Sequence, residues 1–309
     1  MDKKTERLVD VARMYYEQDR TQSEIADQYG ISRPMVSKLL KEARDKGIVT
    51  IRISAPQEES GGALSLMELV GRCFGIYDGV AVPDGPNDQT TNEAVAEAAI
   101  SYLSGLGGTG LGIGWGHIIG DVVKHMEQRE TLVPIGTFVC PLIGNGSVGL
   151  KNYHSNELVR SIAEHSGAQP RFIYSPACVL SEQELKLTRE LDSYHEIYHV
   201  WGKLDVALVN IGNFPSVPDF ASEARYGDQL IRQKAVGRIL NYFMDSQGHI
   251  IRSDTDYAIQ IPLELLSGTR HVVGICSANT SPKAFRGALK TGYLKHFIAP
   301  EHVVREALE

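Results

Sequence analysis

The sequence predicts an α/β protein in two parts: a small helical unit closed by a strand, then a larger unit with a doubly wound, mainly parallel sheet. Three observations predict it. The first fifty residues hold three short amphipathic segments, residues 55–62 are polar and contain Pro and Gly, and beyond residue 79 short apolar runs alternate with helical patterns. A chain of 309 residues is long enough for about two domains of roughly 100 to 200 residues each. We therefore expect units at residues 1–54 and 64–309, joined by a linker at residues 55–63.

The composition excludes several classes of protein. The chain carries 31 Lys and Arg against 38 Asp and Glu, a net charge of −7, and 42% of its residues are hydrophobic. Its charged start runs straight into an amphipathic segment, and no stretch of about 18 apolar residues occurs. We therefore expect no signal peptide, no membrane span and a cytoplasmic location. The four cysteines lie far apart without a Cys-x-x-Cys pair, so we expect reduced cysteines in the core.

The first two helices are predicted from an apolar stripe and from caps. The stripe of the first helix consists of Leu8, Val11, Ala12 and Tyr15. This is helical spacing, and the helix should end near Gln18. Thr21 and Glu24 form a capping box, in which each side chain satisfies a free backbone amide of the other residue, so a second helix begins there. Gly30 takes the left-handed conformation that ends it.

A third helix and a strand complete the small unit. Ser32 is the predicted N-cap, and Pro34 stands in the first turn, where its missing amide is harmless. The buried stripe consists of Val36, Leu39, Leu40 and Ala43. Gly47 ends the helix, and residues 49–54 then alternate between apolar and polar side chains. This alternation predicts a half-buried strand that closes a small wing.

Caps, turn glycine and stripes together predict a winged helix-turn-helix, whose third helix enters the major groove of DNA with its N-terminal side chains leading. Residues 31–52 carry six basic and two acidic side chains, which favours a polyanion partner. We expect Arg33 to read a guanine, with Ser37 and Lys38 facing bases or adjacent phosphates. The expected phosphate contacts are Thr21, Gln22 and Lys41. The alternative is a three-helix interaction module with a solvated basic face.

The second unit alternates predicted strands with predicted helices. The strands are residues 79–82, 109–113, 137–142, 172–174, 206–211, 271–276 and 296–298. The helices are residues 93–103, 118–127, 157–165, 182–191, 229–243, 282–290 and 301–308, preceded by an amphipathic helix at 64–74 that can pair with a copy of itself. In the doubly wound, mainly parallel sheet that this order predicts, ligands bind beyond the carboxyl ends of the strands.

A glycine-rich loop at residues 110–120 lies between a predicted strand and a predicted helix. Its glycines let backbone amides and a helix N-terminus approach an anion, so a phosphate or a ring of hydroxyls is the natural ligand. The glycine spacing is that of neither a dinucleotide fingerprint nor a P-loop, since no acidic residue ends the next strand and no Gly-Lys-Ser/Thr follows. The alternative is a tight strand-to-helix turn that needs small residues.

These features carry a resemblance to a known family. Residues 8–53, above all the YYEQDRTQSEIADQYGISR core, resemble the DNA-binding domain of the SorC family of bacterial sugar-responsive transcriptional regulators. The second unit resembles the effector-binding domain of that family, which is similar to sugar-phosphate isomerases of the glucosamine-6-phosphate deaminase type. Its marks are residues 112–116, 141–144, 201–212, 245–248 and 278–283. The match covers nearly the whole chain.

The resemblance implies an effector site. The loop of Gly114, Trp115, Gly116 and His117 would hold the anionic end of the effector. Asp245 would accept hydroxyl protons of a sugar, Lys283 would supply a positive charge, and Gly144 and Asn152 would add contacts. Two positions depart from the family pattern: His117 replaces a Ser or Thr, and Asn279-Thr280 replace a Gly-Gly pair. Because both border the expected phosphate site, a sugar, a polyol or a sugar phosphate all stay open as effector.

A rival motif points to an enzyme. His195, Glu196 and His199 fit His-Glu-x-x-His, in which two histidines on one helix face bind zinc and the glutamate acts as general base. Gly202 and Asp205 extend the motif toward the long zinc-peptidase pattern. We favour coincidence, because residues 201–212 already belong to a family motif and residues 204–211 have the pattern of a buried strand. The other alternative is a retained sugar-phosphate isomerase activity, which rests on fold analogy alone.

The sequence therefore predicts a transcriptional regulator and not an enzyme, with no catalytic residue, metal or cofactor. Its expected partners are double-stranded operator DNA and a sugar, polyol or sugar-phosphate effector. Because operators mirror the symmetry of the proteins that read them, we expect at least a dimer, and the family resemblance implies a tetramer. The effector, the operator and the direction of control stay open.

Overall fold

The computed structural model describes residues 3–16, 18, 20–45, 48–49, 65–147, 149–216 and 225–309. These residues fall into two compact units, which divide the chain after Ala63. The N-terminal unit contains helices α1 (Lys3–Tyr16), α2 (Gln22–Tyr29) and α3 (Arg33–Asp45). α1 ends before Gln18, slightly earlier than predicted. The predicted wing strand lies, from residue 50 onward, outside the described residues.

The helices of the N-terminal unit pack as their stripes predict. Val11 of α1, Ile25 of α2, and Val36 and Leu40 of α3 are almost fully buried and contact one another. Leu8 and Ala12 of α1 form a second cluster with Ala43 of α3. The apolar stripe of α1 therefore contacts both later helices, which holds the three helices together.

The larger unit is built on one sheet, in which the described residues form seven parallel strands and an antiparallel hairpin of two more. Its strands are β1 (Gly79–Val82), β2 (Gly110–Ile113), β3 (Phe138–Pro141), β4 (Gln169–Pro170), β5 (Val206–Asn213), β6 (Gly237–Ile239), β7 (Tyr242–Met244), β8 (His271–Ile275) and β9 (His296–Pro300). The parallel strands follow the order β1-β9-β8-β5-β2-β3-β4, and β6 and β7 form an antiparallel hairpin on β5. The predicted mainly parallel α/β fold is confirmed.

Helices flank this sheet. They are α4 (Leu66–Phe74), α5 (Asp88–Leu106), α6 (His117–Glu127), α7 (Ser155–Ser166), α8 (Glu182–Glu190), α9 (Asp192–Trp201), α10 (Gln229–Arg232), α11 (Leu263–Gly268), α12 (Pro282–Lys290) and α13 (Glu301–Leu308). A 3-10 turn at Lys151–Tyr153 precedes α7. Among the described residues, none of the helices is both long enough and apolar enough to cross a membrane.

Two predicted elements are wrong. Residues 172–174 form no strand: β4 is already complete at Pro170, and the side-chain amide of Asn156 pairs with the backbone N–H and C=O of Ile173 at 3.0 and 2.9 Å in place of a sheet neighbour. The predicted helix at 229–243 is only α10 followed by the β6–β7 hairpin. Positive φ angles of 53° at Lys234 and Leu240 interrupt the helix and turn the hairpin.

The core lies on both faces of the sheet because the side chains of β5 alternate. Val206 and Leu208 point into one apolar cluster with α5, α6 and α7. Ala207 and Val209 point into the other, with α9, α12 and α13. A strand in the middle of a doubly wound sheet is buried on both faces, which is why β5 is a continuous apolar run.

The cysteine prediction is confirmed in part. All four thiols are free. Cys140 and Cys276 are buried, and burial raises the pKa of both thiols. Cys73 on α4 is exposed, so its assignment to the core is wrong.

Trp201 supplies a test of the fold. Its indole Nε1 donates a hydrogen bond of 2.8 Å to the carbonyl of Pro141 at the end of β3, and its ring is 1% exposed. Trp201→Phe leaves that carbonyl buried without a donor, so we expect the free energy of unfolding to fall by about 1–3 kcal/mol in urea titrations. The control Tyr174→Phe, at a side chain that is 70% exposed, should change it by less than about 0.5 kcal/mol. Equal stability of the two variants would contradict a structural role for this hydrogen bond.

Candidate functional site

The N-terminal unit presents a polar face formed by the ends of its helices. The predicted capping box is present: the Glu24 amide donates to Thr21 Oγ1 at 3.3 Å, and Glu24 Oε2 accepts from the Thr21 amide at 2.8 Å. The hydrogen bonds from the backbone and side chain of Thr21 hold the pKa of the Glu24 carboxyl below its ordinary value. Gly30 ends α2 with φ of 60°, as predicted. The two caps set where α3 begins and therefore which of its side chains lead.

The predicted DNA contacts lie on this face in two groups. Thr21, Gln22 and Arg33 line a groove of about 740 Å³, together with Tyr15, Tyr16, Arg20 and Ser23. Ser37, Lys38 and Lys41 are exposed further along α3, on the side opposite Val36 and Leu40. Tyr16 and Arg20 line the same groove and were not among the contacts predicted from the sequence. The position of Arg20 directly before the N-cap Thr21 is the signal that could have indicated it.

The α/β unit has a cavity of about 640 Å³ at the carboxyl ends of β2 and β5. These strands are neighbours in the sheet, but the chain leaves β2 toward β3 on one side and leaves β5 toward β8 on the other. A crevice opens where neighbouring connections diverge in this way, and it is the usual place for a ligand in such folds. The cavity is lined by the loop after β2, the end of β5, the N-terminal part of α5, the β6–β7 hairpin and the loop after β8.

The loop after β2 needs glycine at two positions: Gly114 because neighbouring atoms lie close to its Cα, and Gly116 because of its positive φ angle. A Cβ at Gly114 would stand 2.7 Å from Asn210 Oδ1, so only glycine fits between β2 and β5. Gly116 has φ of 104°, which favours glycine, and is the N-cap of α6. Trp115, Gly116 and His117 line the cavity, with the Tyr153 ring packed edge-on against both Trp115 and His117. Gly114 lies beneath them, against Asn210.

Two further predicted residues support this loop from behind. The carbonyl of Asn152 accepts a hydrogen bond of 2.8 Å from the Gly116 amide, and its side chain lies against Gly120. The amide of Gly144 donates to Ile259 and its carbonyl accepts from Ser155 Oγ, at 2.9 and 3.0 Å. Neither residue is part of the cavity lining, and both hold the segments that border it.

The structure does not bring Asp245 and Lys283 to the cavity. Asp245 Oδ1 accepts hydrogen bonds from the amides of Gln247 and His249 at 2.8 and 3.0 Å, so the carboxylate closes its own turn after β7. Burial of this carboxyl raises its pKa, but the hydrogen bonds from His249 and Gln247 outweigh burial and leave the pKa below its ordinary value. Lys283 is exposed in the first turn of α12. Neither residue lines the cavity.

Two buried polar residues of the cavity, Asn210 and Arg238, were not predicted as site residues from the sequence. Arg238 of β6 is 6% exposed, and Nη1 donates to Asn241 Oδ1 at 3.4 Å. Asn210 of β5 is 7% exposed, and its Oδ1 is buried without a hydrogen-bond partner among the described residues. No local signal marks either residue. Asn210 stands within an apolar strand, and Arg238 stands in a segment whose periodicity predicts a helix.

The remaining lining is polar and of mixed charge. Lys124, His125 and Asp121 stand on α6, and Asn92 and Glu93 stand on α5. Asn213 of β5 and Asn279 and Thr280 of the loop after β8 add further polar groups. Burial raises the pKa of the Asp121 carboxyl above its ordinary value, against the opposing charges of His125, Lys124 and His117. Amides, carboxylates and hydroxyls around an open crevice can donate to and accept from several ligand hydroxyls at once.

The zinc motif is not assembled. His195, Glu196 and His199 are exposed on α9, and no group of three metal-ligating side chains occurs in the part of the chain that the structure describes. Asp205, at the last position of the long zinc-peptidase pattern, is engaged elsewhere: Oδ2 accepts from the Thr109 amide and hydroxyl at 2.7 and 2.6 Å. These hydrogen bonds hold the pKa of the Asp205 carboxyl below its ordinary value and tie the start of β5 to that of β2.

Comparison with protein families matches both units. Residues 59–309, more than half of the chain, match the Sugar-bind family, described as a "Putative sugar-binding domain". Residues 5–46 are similar to region 4 of sigma-70.

Individual relatives and a solved structure agree with these family matches. The sorbitol operon regulator of Klebsiella pneumoniae is 31% identical over 300 residues, which cover 93% of this chain and 92% of that protein. The deoxyribonucleoside regulator of Bacillus subtilis (strain 168) is 28% identical over 317 residues, which cover 99% of this chain and 98% of that protein. The crystal structure of the full-length sorbitol operon regulator SorC from Klebsiella pneumoniae has a TM-score of 0.71 and 27% identity and covers 100% of both chains.

Both relatives are transcriptional regulators, and neither is a peptidase or an isomerase. The helix-turn-helix, the parallel α/β unit with its polar crevice and the matches along both units lead to one conclusion. The chain belongs to the SorC family of sugar-binding transcriptional regulators.

Proposed function

We propose that this protein regulates transcription of a carbohydrate or polyol catabolic operon from the cytoplasm. In this proposal residues 1–54 bind operator DNA, residues 55–63 are a linker, and the cavity in residues 64–309 binds a sugar, polyol or sugar phosphate. The observation that carries the effector half is the crevice between β2 and β5, because its lining is rich in hydroxyl-binding amides and carboxylates. Two relatives are named for sorbitol and for deoxyribonucleosides, which supports a polyhydroxylated ligand.

We further propose that the effector carries an anionic group. The guanidinium of Arg238 is buried beside the cavity, and such a group pairs well with the oxygens of a phosphate. α6 also begins at His117 on the rim, so the positive end of its dipole faces the same space. In this proposal Asn92, Glu93 and Asp121 bind the hydroxyls of the sugar.

Effector control requires unequal affinity. A ligand shifts the protein between DNA-competent and DNA-incompetent states only if it binds one of them more tightly. Control can therefore run in either direction, as repression or as activation. We propose a homo-oligomer, at least a dimer and by family resemblance a tetramer, since symmetric operators are read by symmetric proteins.

The whole proposal is tested by titrating the protein on its own upstream DNA and on random DNA of equal length at one fixed salt concentration. The probes are sorbitol, several aldoses and ketoses, their phosphates, and inorganic phosphate. We expect selective binding to the upstream DNA that one polyhydroxylated compound shifts. Equal affinity for both DNAs, with every compound, would contradict a self-controlled operator and direct attention to zinc content and isomerase turnover.

Arg33 supplies a prediction for operator reading. Arg33→Ala should weaken binding to the operator by about 1–3 kcal/mol and leave binding to random DNA almost unchanged, because a bidentate contact to guanine carries sequence information. Lys41→Ala, also at an exposed cation of α3, should weaken both alike and reduce the slope of log affinity against log salt by about 1. Fluorescence anisotropy on the two DNAs measures both. Equal losses in Arg33→Ala would show that this side chain holds a phosphate.

Arg238 and Lys283 supply a prediction for the effector charge. Arg238→Gln should weaken binding of a sugar phosphate by about 10- to 100-fold and of its unphosphorylated sugar much less, since a charge-assisted hydrogen bond is lost. Arg238→Lys keeps the charge and controls for folding. Lys283→Ala tests the prediction from family resemblance and should have the smaller effect, because Lys283 does not line the cavity. Calorimetry measures the affinity of each variant for the sugar phosphate and for the unphosphorylated sugar. Equal losses of affinity for the two ligands in Arg238→Gln would contradict the anionic site.

A further inference from the structure

The loop after β8, residues 277–281, forms one wall of the cavity; hydrogen bonds among Ser277, Asn279 and Thr280 close its turn, and side chains from other elements hold it in place. The Ala278 amide donates to Asn92 Oδ1 of α5 at 2.7 Å, and the Ser281 amide donates to Asn213 Oδ1 of β5 at 2.7 Å. The other end of the Asn213 side chain, Nδ2, donates to the carbonyl of Asn279 at 2.9 Å. We call this segment the 277–281 loop. Its lining residues include Ser277, Asn279 and Thr280, so its position sets the shape of the cavity.

His302 of α13 holds the same loop from behind. Its Nε2 lies 2.9 Å from the carbonyl oxygen of Ala278. Its Nδ1 is hydrogen-bonded to Asp84 Oδ1, and its backbone amide donates to Asp84 Oδ2 at 3.0 Å. Asp84 lies in the segment between β1 and α5, so one imidazole joins three separate parts of the chain.

The partners of this ring determine its protonation. A carbonyl oxygen and a carboxylate oxygen both accept hydrogen bonds and cannot donate them. Both ring nitrogens must therefore donate, and only the imidazolium form of histidine has two N–H groups. The neutral ring can satisfy Asp84 or Ala278, but not both.

The surrounding charges favour the same form. Asp84 faces the ring from the β1–α5 segment, and Glu306 faces it from one turn further along α13; the 277–281 loop itself contains no titratable side chain. Burial lowers the pKa of His302, but the hydrogen bond and charge of Asp84, the Ala278 carbonyl and Glu306 outweigh it and raise the pKa above its ordinary value. The side chains of His302 and Asp84 are 39% and 37% exposed, so protons can reach the pair.

We propose that His302 is a positioning residue of the effector site: as an imidazolium paired with Asp84 it holds the 277–281 loop, so that effector binding is linked to one proton. This rests on the proposed function in assigning the cavity to the effector. The interaction is complete at a pH below the ordinary pKa of histidine. It is lost as the pH rises through the higher pKa of His302, because one of the two ring hydrogen bonds must then break.

The first test needs no effector. Hydrogen–deuterium exchange of the full-length protein, corrected for intrinsic exchange rates, is followed in peptides covering the 277–281 loop from about pH 6 to about pH 9. We expect protection to fall about tenfold across this range in the wild type. Asp84→Asn keeps an oxygen that can cap α13 but removes the charge, so the fall should move to lower pH. His302→Arg keeps a cation with several donors at every pH, so its protection should not depend on pH.

His165→Gln is the matched control. Its ring also contacts a backbone carbonyl, that of Ser161 at 2.8 Å, but it stands on α7 away from the cavity lining. Its loop protection should match that of the wild type throughout. A wild-type loop whose protection does not change with pH, or an Asp84→Asn profile identical to the wild type, would overturn the proposal.

The second test adds sorbitol 6-phosphate, sorbitol, inorganic phosphate and any compound that shifts DNA binding, measured by calorimetry at the same pH values. We expect affinity for the compound that binds to fall with rising pH in the wild type and to be flat in His302→Arg. Binding with the same pH profile in all variants would show that the loop proton is not part of the effector site. A protein that binds no compound yet shows the expected exchange pattern would contradict the proposed function and leave the proton-dependent loop standing.

Discussion

The pairing of β2 with β5 in the middle of the parallel sheet is the constraint on which the α/β unit depends. At the amino ends the Asp205 carboxylate ties the strands together through Thr109, and at the carboxyl ends the Gly114 amide donates to Leu208 at 2.8 Å. Between these two points the strands must run side by side with both faces buried. Because the connections from the two strands diverge, a crevice opens at their carboxyl ends, bordered by α5 and α6. The cavity is thus a result of the sheet order.

The groups around the cavity are positioned by contacts that do not involve the ligand. Arg238 stands on a short hairpin whose turn is held by a hydrogen bond of 3.0 Å from the Asn241 amide to Gln260 Oε1. Residues 277–281 have no sheet or helix ladder of their own and depend on Asn92, Asn213 and His302 from three other elements. One wall is therefore fixed by backbone pairing and the other by side chains. In our proposal the second wall responds to protonation because His302, unlike the two asparagines and the backbone amides, titrates near neutral pH.

The helix-turn-helix depends more on short-range sequence features than the cavity does. Its caps at Thr21 and Gly30 and the stripes that contain Ile25 and Val36 are each determined within a few residues. Exposed side chains at the start of α3 follow directly from where α2 ends, since a single glycine sets the direction of the next helix. The unit can therefore vary its exposed contacts without altering the core that orients them.

The sequence alone determined what depends on short-range chemistry: the capping box, the turn glycine, the helical stripes, the buried parallel strands and, through the glycine-rich loop, one side of the cavity. It misplaced what depends on long-range pairing. Residues 229–243 have a helical pattern, yet Lys234 and Leu240 take positive φ and the segment pairs with β5, because a strand edge there offers partners for its backbone. Asp245 and Lys283 were assigned by resemblance, while Asn210, Arg238 and His302 have no local signal. Only the tertiary structure decided those positions, since the contacts that give these side chains their roles join segments far apart in the chain.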